Sequence, residues 1–163
     1  MAKVILICGR ICGGKSTYAD KLCRENRAIV LSVDEIMLSL FDRELGEKHN
    51  EYAEKIKNYL FEKSLAVIVN DINVILDWGF WKKEDREYAK DFYKSKGIEV
   101  ELHYIDVDDE QWKARIDKRN RAVRSAVTDA YYVNDTLMNK FLSLFEPPDK
   151  KEIDISIKTK GEI

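Results

Sequence analysis

Apolar residues fall into two kinds of run along this chain. Val4-Ile5-Leu6-Ile7-Cys8 and Val74-Ile75-Leu76 are short, continuous and rich in β-branched side chains, the pattern of strands covered on both faces. The first predicts the central strand of a sheet. Ala28–Leu31 predicts another strand. Val100, Leu102 and Tyr104 alternate with Glu101 and His103, and Ile153, Ile155 and Ile157 alternate with Asp154 and Ser156. That alternation predicts strands with less fully covered faces, the last of them at an edge.

Between the strands, apolar residues recur at steps of three and four. The spacing predicts helices over Lys15–Asn26, Glu35–Leu45, Glu47–Val69, Lys82–Lys96, Gln111–Arg121 and Asp129–Phe145, with Gly97 and Pro147-Pro148 as stops. Strands separated by helices imply a parallel sheet with right-handed crossovers, hence a three-layer α/β/α fold. No repeat, linker or low-complexity tract interrupts the pattern, so one domain over 1–163 is expected.

Charge narrows the field. Lysine and arginine total 28 against 30 aspartate and glutamate, a formal −2, so no general field would hold the chain on a polyanion or an anionic membrane. Cys8, Cys12 and Cys23 are odd in number and lack metal-type spacing, which fits a reduced, cytoplasmic setting. The apolar run near the N-terminus is far too short to span a bilayer and carries no cleavage-type signal, so no membrane partner is expected.

The segment between the first strand and first helix carries the chemistry. Gly9-Arg10-Ile11-Cys12-Gly13-Gly14-Lys15-Ser16 has the spacing of a P-loop. A diphosphate needs several donors aimed at one place, and Gly9, Gly13 and Gly14 let backbone N–H groups converge without a Cβ in the way. Lys15 reaches the β and γ phosphates, and the Ser16 hydroxyl is a Mg²⁺ ligand. Cys12 and Thr17 complete the expected nucleotide contacts. The expectation is therefore ATP with Mg²⁺. A guanine-reading motif is absent, Thr159-Lys160-Gly161-Glu162 being only a distant echo of one, and 163 residues leave little chain for the extra subdomains of motor-type or hexameric ATPases.

Together with that loop, Ser32-Val33-Asp34-Glu35 after the second strand, Leu76-Asp77-Trp78-Gly79-Phe80-Trp81 after the third, and the segment from Arg115 to Arg124 resemble small kinases of the polynucleotide-kinase, zeta-toxin and chloramphenicol-phosphotransferase group. The resemblance extends over nearly the whole chain, with the P-loop its most specific part. It implies a nucleoside-monophosphate-kinase-like core with a five-stranded, mostly parallel sheet, a helical lid at about 113–128, ATP as donor and a hydroxyl as acceptor.

Asp34 follows a strand at the carboxyl edge of the sheet, where a carboxylate orients an attacking hydroxyl and accepts its proton. Either it or Ser32 is also placed to cap a helix. Asp77 ends a buried strand, the position of a carboxylate that holds a Mg²⁺-bound water or contacts the acceptor. Trp78, Phe80 and Trp81 form either an aromatic wall for the acceptor or packing between helix and sheet, with packing expected for at least one. Arg115 and Arg119 share a helix face, and with Arg124 they are the arginines expected to bind the nucleotide. A lid, a solvated face and a nucleic-acid patch all fit that pattern, the lid best. By resemblance Arg119 touches adenine or the transferred phosphate. His49 and His103 read as isolated surface or edge-strand polarity.

These residues point to an ATP-dependent kinase, with Lys15, Asp34 and Arg119 catalytic and a small-molecule acceptor of unspecified identity. A polynucleotide 5′-hydroxyl kinase and a regulatory module with little turnover are the alternatives. Related kinases often carry Asp-x-x-Arg where this chain has Asp34-Glu35-Ile36-Met37, which counts against a 5′-kinase for ends bearing a 3′-phosphate.

Overall fold

A computed structural model describes residues 1–41, 45–128 and 130–159. Five strands form one sheet, β1 (Val4–Gly9), β2 (Ala28–Leu31), β3 (Asn73–Gly79), β4 (Val100–Asp106) and β5 (Ile155–Lys158), in the order β2-β3-β1-β4-β5. All neighbours pair parallel, so the mostly parallel sheet expected is parallel throughout. β1 is central and β5 lies at an edge.

Every residue of β1 is buried, because both faces of the strand are covered. Ile5 and Ile7 pack with Ile75, Ile105 and Ala19 of α1 (Lys15–Glu25). On the opposite face Val4, Leu6 and Cys8 meet Phe61 of α3 (Lys48–Ile68) and Ala89 and Tyr93 of α4 (Lys83–Lys94). A third cluster gathers Trp112 and Ile116 of α5 (Asp109–Arg124) with Phe141 of α6 (Asp135–Leu144). Val33 and Met37 of α2 (Val33–Leu40) pack on Leu60. Burying side chains of this size stabilises by about 1.5–3 kcal/mol each before chain entropy is charged against them.

Helix ends depart from the expected bounds for local reasons. α2 begins at Val33 because the Ser32 side chain accepts from the Glu35 N–H at 3.3 Å, a capping arrangement. The helix expected over Asp129–Phe145 starts only at Asp135, after the Asn134 cap; Asp129 lies outside the described residues. Just before it, Val133 is held in non-helical backbone by two 2.8 Å hydrogen bonds with Asn120. β4 is more fully covered than its alternation suggests. His103 is 2% exposed because Tyr18 of α1 lies over it, its hydroxyl 2.9 Å from Nδ1, while Nε2 meets Glu101 at 2.9 Å. The expectation of a surface histidine is corrected accordingly.

Candidate active site

The P-loop leaves β1 and turns on two left-handed residues, Cys12 at φ 56° and Gly14 at φ 95°. Gly13 donates to the Arg10 carbonyl at 2.9 Å, and a Cβ on Gly13 would stand 2.8 Å from that oxygen, so only glycine closes this turn. α1 then opens with no side-chain cap and no acidic residue in its first turn, whereas α2, α5 and α6 are capped by Ser32, Asp108 and Asn134. Its first N–H groups are thereby left for an anion.

Three expected residues meet at the mouth of this loop. The Ser16 hydroxyl donates to Asp77 Oδ2 at 2.6 Å, joining the start of α1 to the end of β3. Lys15 Nζ donates to the Arg10 carbonyl at 2.7 Å. Burial pushes the Lys15 ammonium below its ordinary pKa, while the nearby carboxylates of Asp77 and Asp34 oppose that shift. Burial pushes the Asp77 carboxyl up, against Lys15 and the Ser16 hydroxyl. Beside the loop, the Lys15 ammonium therefore stands near the Asp77 and Asp34 carboxylates, with burial working against the charges of Lys15 and Asp77. The β1–β3 register slips between the pairs Leu6–Leu76 and Cys8–Gly79, directly beside Asp77, an irregularity of the kind that re-aims a side chain near a site.

Asp34 stands exposed in the first turn of α2 and lines the same cleft. Ser32, not Asp34, is the side-chain cap, which leaves the Asp34 carboxylate without that structural duty.

α5 docks on the P-loop through residues at three- and four-residue steps. Trp112 Nε1 donates to the Ile11 carbonyl at 2.6 Å, Arg115 Nη1 to the Gly13 carbonyl at 2.8 Å, and Arg119 Nη1 to Cys12 Sγ at 3.2 Å. Arg10 pairs with Asp109 and lies over the Trp112 ring at 4.8 Å. Arg119 Nε is buried with no hydrogen-bond partner among the described residues. Arg124 behaves differently from its two neighbours. It stacks on Tyr132 at 4.9 Å, bonds to that hydroxyl, and does not line the cleft. Lys118 does line it, and was discoverable from the sequence as the residue three beyond Arg115 on the same face.

The aromatic residues divide. Trp78 donates from Nε1 to the Leu31 carbonyl at 3.1 Å and packs edge-on against Phe61, so its indole ties β3 to β2. Phe80, 4% exposed at φ 44°, stacks on Trp78. Trp81 packs edge-on against Phe141. Packing is thus a duty of all three, though each also presents an edge to the cleft. Gly79, at φ 80°, is required between them: a Cβ there would meet Trp81 Nε1 at 2.7 Å.

The cleft running from the P-loop across α2, α3 and α4 to α5 and α6 has a volume of about 2480 Å³. Pockets for one small ligand are typically about 300–1,000 Å³, so this one has room for a nucleotide and a second substrate. Its far wall, with Glu54, Lys57, Asn58, Asp85 and Tyr88, was not foreseen from the sequence. The one available signal was the three- and four-residue spacing of polar residues facing each other on α3 and α4.

Among solved structures, a gluconokinase from Sinorhizobium meliloti 1021 superposes with a TM-score of 0.66 at 12% identity, covering 98% of this chain and 84% of its own. APS kinase of Mycobacterium tuberculosis, solved with AMPPNP and APS, superposes with a TM-score of 0.62 at 16% identity, covering 99% and 90%. A chain of the Pnkp1/Rnl/Hen1 RNA repair complex superposes with a TM-score of 0.70 at 21% identity, covering 88% of this chain but only 43% of that one. This chain therefore spans less than half the length of that relative. No curated protein matches by sequence. These likenesses establish the nucleoside-monophosphate-kinase-like P-loop fold, and the family model described as AAA domain, AAA_33, matches residues 4–148. With its P-loop in place between β1 and α1 and a five-stranded parallel sheet behind it, the chain belongs to that AAA_33 family of P-loop domains.

Proposed function

We propose that this chain is an ATP-dependent phosphotransferase that moves the γ-phosphoryl group to a hydroxyl of a small molecule. The observation that carries the reading is the convergence of Lys15, Asp77 and Asp34 on one cleft, with α5 arginines on its other side. A domain that only held nucleotide would need the loop and Lys15, but not a second carboxylate facing an open acceptor space.

In the reaction the bond from the γ-phosphorus to the β–γ bridging oxygen breaks, a bond from the acceptor oxygen to phosphorus forms, and ADP leaves. Lys15 and the loop N–H groups bind the β and γ phosphates. Asp34 orients the acceptor hydroxyl and accepts its proton, later releasing it to solvent. Arg119, whose Nε has no partner among the described residues, and Arg115 neutralise charge that develops on the transferred group. Segment 113–128 serves as the lid, and the whole of 1–163 as one kinase domain working in the cytoplasm.

The oxygens of Ser16 and Asp77, 2.6 Å apart, fit a hard divalent ion that takes its other ligands from phosphate and water. Among the described residues no three His, Cys, Asp or Glu side chains group together as a metal cluster. Mg²⁺, when bound, supplies neutralisation of the β and γ oxygens. Among the described residues no helix is long and apolar enough to cross a membrane.

The deciding experiment is a screen of metabolites, nucleosides and 5′-hydroxyl oligonucleotides for acceptor-dependent ADP release. Transfer to a small molecule supports the proposal. Transfer to oligonucleotides alone replaces it with the polynucleotide reading, and tight ATP binding without transfer to any acceptor replaces it with a regulatory module.

A further inference from the structure

Charge is sorted along the cleft. The arginines that line it among the described residues, Arg115 and Arg119, both stand on α5 beside the P-loop. The far wall is built from α2, α3 and α4, and its charged residues are mostly acidic. α2 contributes Asp34 and Glu35, α3 contributes Glu54 and Lys57, and the start of α4 contributes Lys82, Glu84 and Asp85.

The two cations on that wall are already occupied. Lys57 Nζ donates to Glu54 Oε1 at 2.7 Å, and Lys82 Nζ to Glu84 Oε1 at 3.1 Å. Lys140 of α6, across the opening, donates to Asn50 Oδ1 at 3.1 Å. By contrast, no hydrogen bond or ion pair among the described residues engages the carboxylates of Asp34 and Asp85. Asp85 is half-buried, and burial pushes its carboxyl above the ordinary pKa, with Lys57 opposing. An incoming acceptor thus meets hydrogen-bond acceptors and excess negative charge. Beside Asp85, Tyr88 stands 56% exposed and packs edge-on against Phe61, which adds an apolar surface for the face of a ring.

Resting on the phosphotransferase reading, we infer that the acceptor is an uncharged or ammonium-bearing ring compound rich in hydroxyls, held by Asp85, and not an anionic one such as a phosphorylated sugar or nucleotide. An anion placed there would face carboxylates that no described residue hydrogen-bonds or ion-pairs, in a partly desolvated site, with no guanidinium among the described wall residues to receive it.

Matched acceptors test this. Glucose, glucosamine and glucose 6-phosphate, and adenosine with its 3′-phosphate, are compared for kcat/KM in ADP release with product identified by transfer of labelled phosphate. Within each set the anionic member is expected to be at least about tenfold worse, the effect of one unfavourable charge contact. Asp85→Asn raises acceptor KM with little change in the KM for ATP or in the melting curve, and Asp85→Lys narrows or inverts the penalty against the anionic member. A merely structural Asp85 would shift the melting curve and leave the ratio between neutral and anionic acceptors unchanged. If the anionic member of a set is the best substrate, the inference is overturned and the phosphotransferase reading stands. If no acceptor of any charge is phosphorylated while ATP binds tightly, both are overturned.

Discussion

The hydroxyl of Ser16 and the carboxylate of Asp77, separated by 61 positions in sequence, meet at 2.6 Å across the mouth of the P-loop. β3 lies beside β1 in the sheet, so the ends of both strands open on one edge and the start of α1 faces the end of β3. This strand-end carboxylate and the loop serine are the pair proposed above to hold a Mg²⁺ ion or its water shell.

That contact makes a prediction about Asp77→Asn. Burial holds the Asp77 carboxyl above its ordinary value of 3.8, so its ionisation works against folding in the nucleotide-free protein. Stability linked to this group is fully present below pH 3.8, where both states are protonated, and is lost as pH rises through the raised folded value. Asp77→Asn is therefore expected to melt at or above the temperature of the wild type at pH 7, with the difference growing from acid to neutral pH. Calorimetric scans across that range check it. The same variant should lose the Mg²⁺ dependence of ATP binding, and retention of full Mg²⁺ dependence would exclude Asp77 from the ion site.

Lys15 follows the same logic with opposite charge. Its ammonium is pushed down by burial, so charging it also works against the free fold below its folded pKa. Lys15→Met is expected to preserve or raise the melting temperature of the free protein while abolishing the stabilisation that ATP gives the wild type. Thermal shift with and without ATP reads both effects. An unchanged ATP shift would remove Lys15 from the phosphate site.

Much of this was legible in the sequence because the signals are short-range. β1, the P-loop and α1 are contiguous, and their residues need no distant partner to be recognised. Asp77 was found because it closes a strand-like run, and Asp34 because it follows one closely. What the sequence hid depends on partners far along the chain. Arg86 lies in a charged helical pattern that reads as a solvated face, yet it is 1% exposed. It donates to the Phe80, Trp81 and Glu146 carbonyls and pairs with Glu152 at 2.8 Å, sixty-six positions away. His103 was hidden likewise, because Tyr18 covers it from α1. Arg124 shows the reverse: a charge near the cleft-lining arginines of α5 that the turn toward Tyr132 takes away from the cleft.

Arg86 is therefore expected to matter for folding more than its setting suggests. It holds the Phe80-Trp81 backbone beside the cleft and ties it to Glu146 and Glu152. Arg86→Met leaves the Glu152 carboxylate without its cation and three carbonyls without their donor, a loss of about 3–5 kcal/mol for a broken buried pair. The hydrogen bond to Arg86 holds the Glu152 carboxyl below its ordinary value of 4.5. The stability gained from that pairing is present above pH 4.5 and lost as pH falls through the lowered folded value, so the gap between variant and wild type narrows in acid. Urea titrations at pH 7 and in acid measure it. A gap under 1 kcal/mol at pH 7 would show that the pair contributes no more than an exposed one.

Asp34 separates a kinase from a module that only holds nucleotide. Ser32 already caps α2, so replacing Asp34 removes no cap; the substitution Asp34→Asn keeps the size of the side chain and deletes its charge and basicity. Loss of a negative charge from the first turn of α2 costs no more than about 0.3–1 kcal/mol, so folding is expected to change little. ATP affinity should also hold, since Lys15 and the loop N–H groups remain. Transfer to an acceptor is different, because the hydroxyl then loses the group that orients it and takes its proton. That step is expected to fall by about two to four orders of magnitude, while slow hydrolysis by water, which needs no acceptor site, falls less. Melting, ATP binding and product formation measured on both proteins read the three expectations together. Unchanged transfer alongside an unchanged melting curve would take the proton-accepting role away from Asp34, and Asp77, the other carboxylate near Lys15, would be the next residue to test for it.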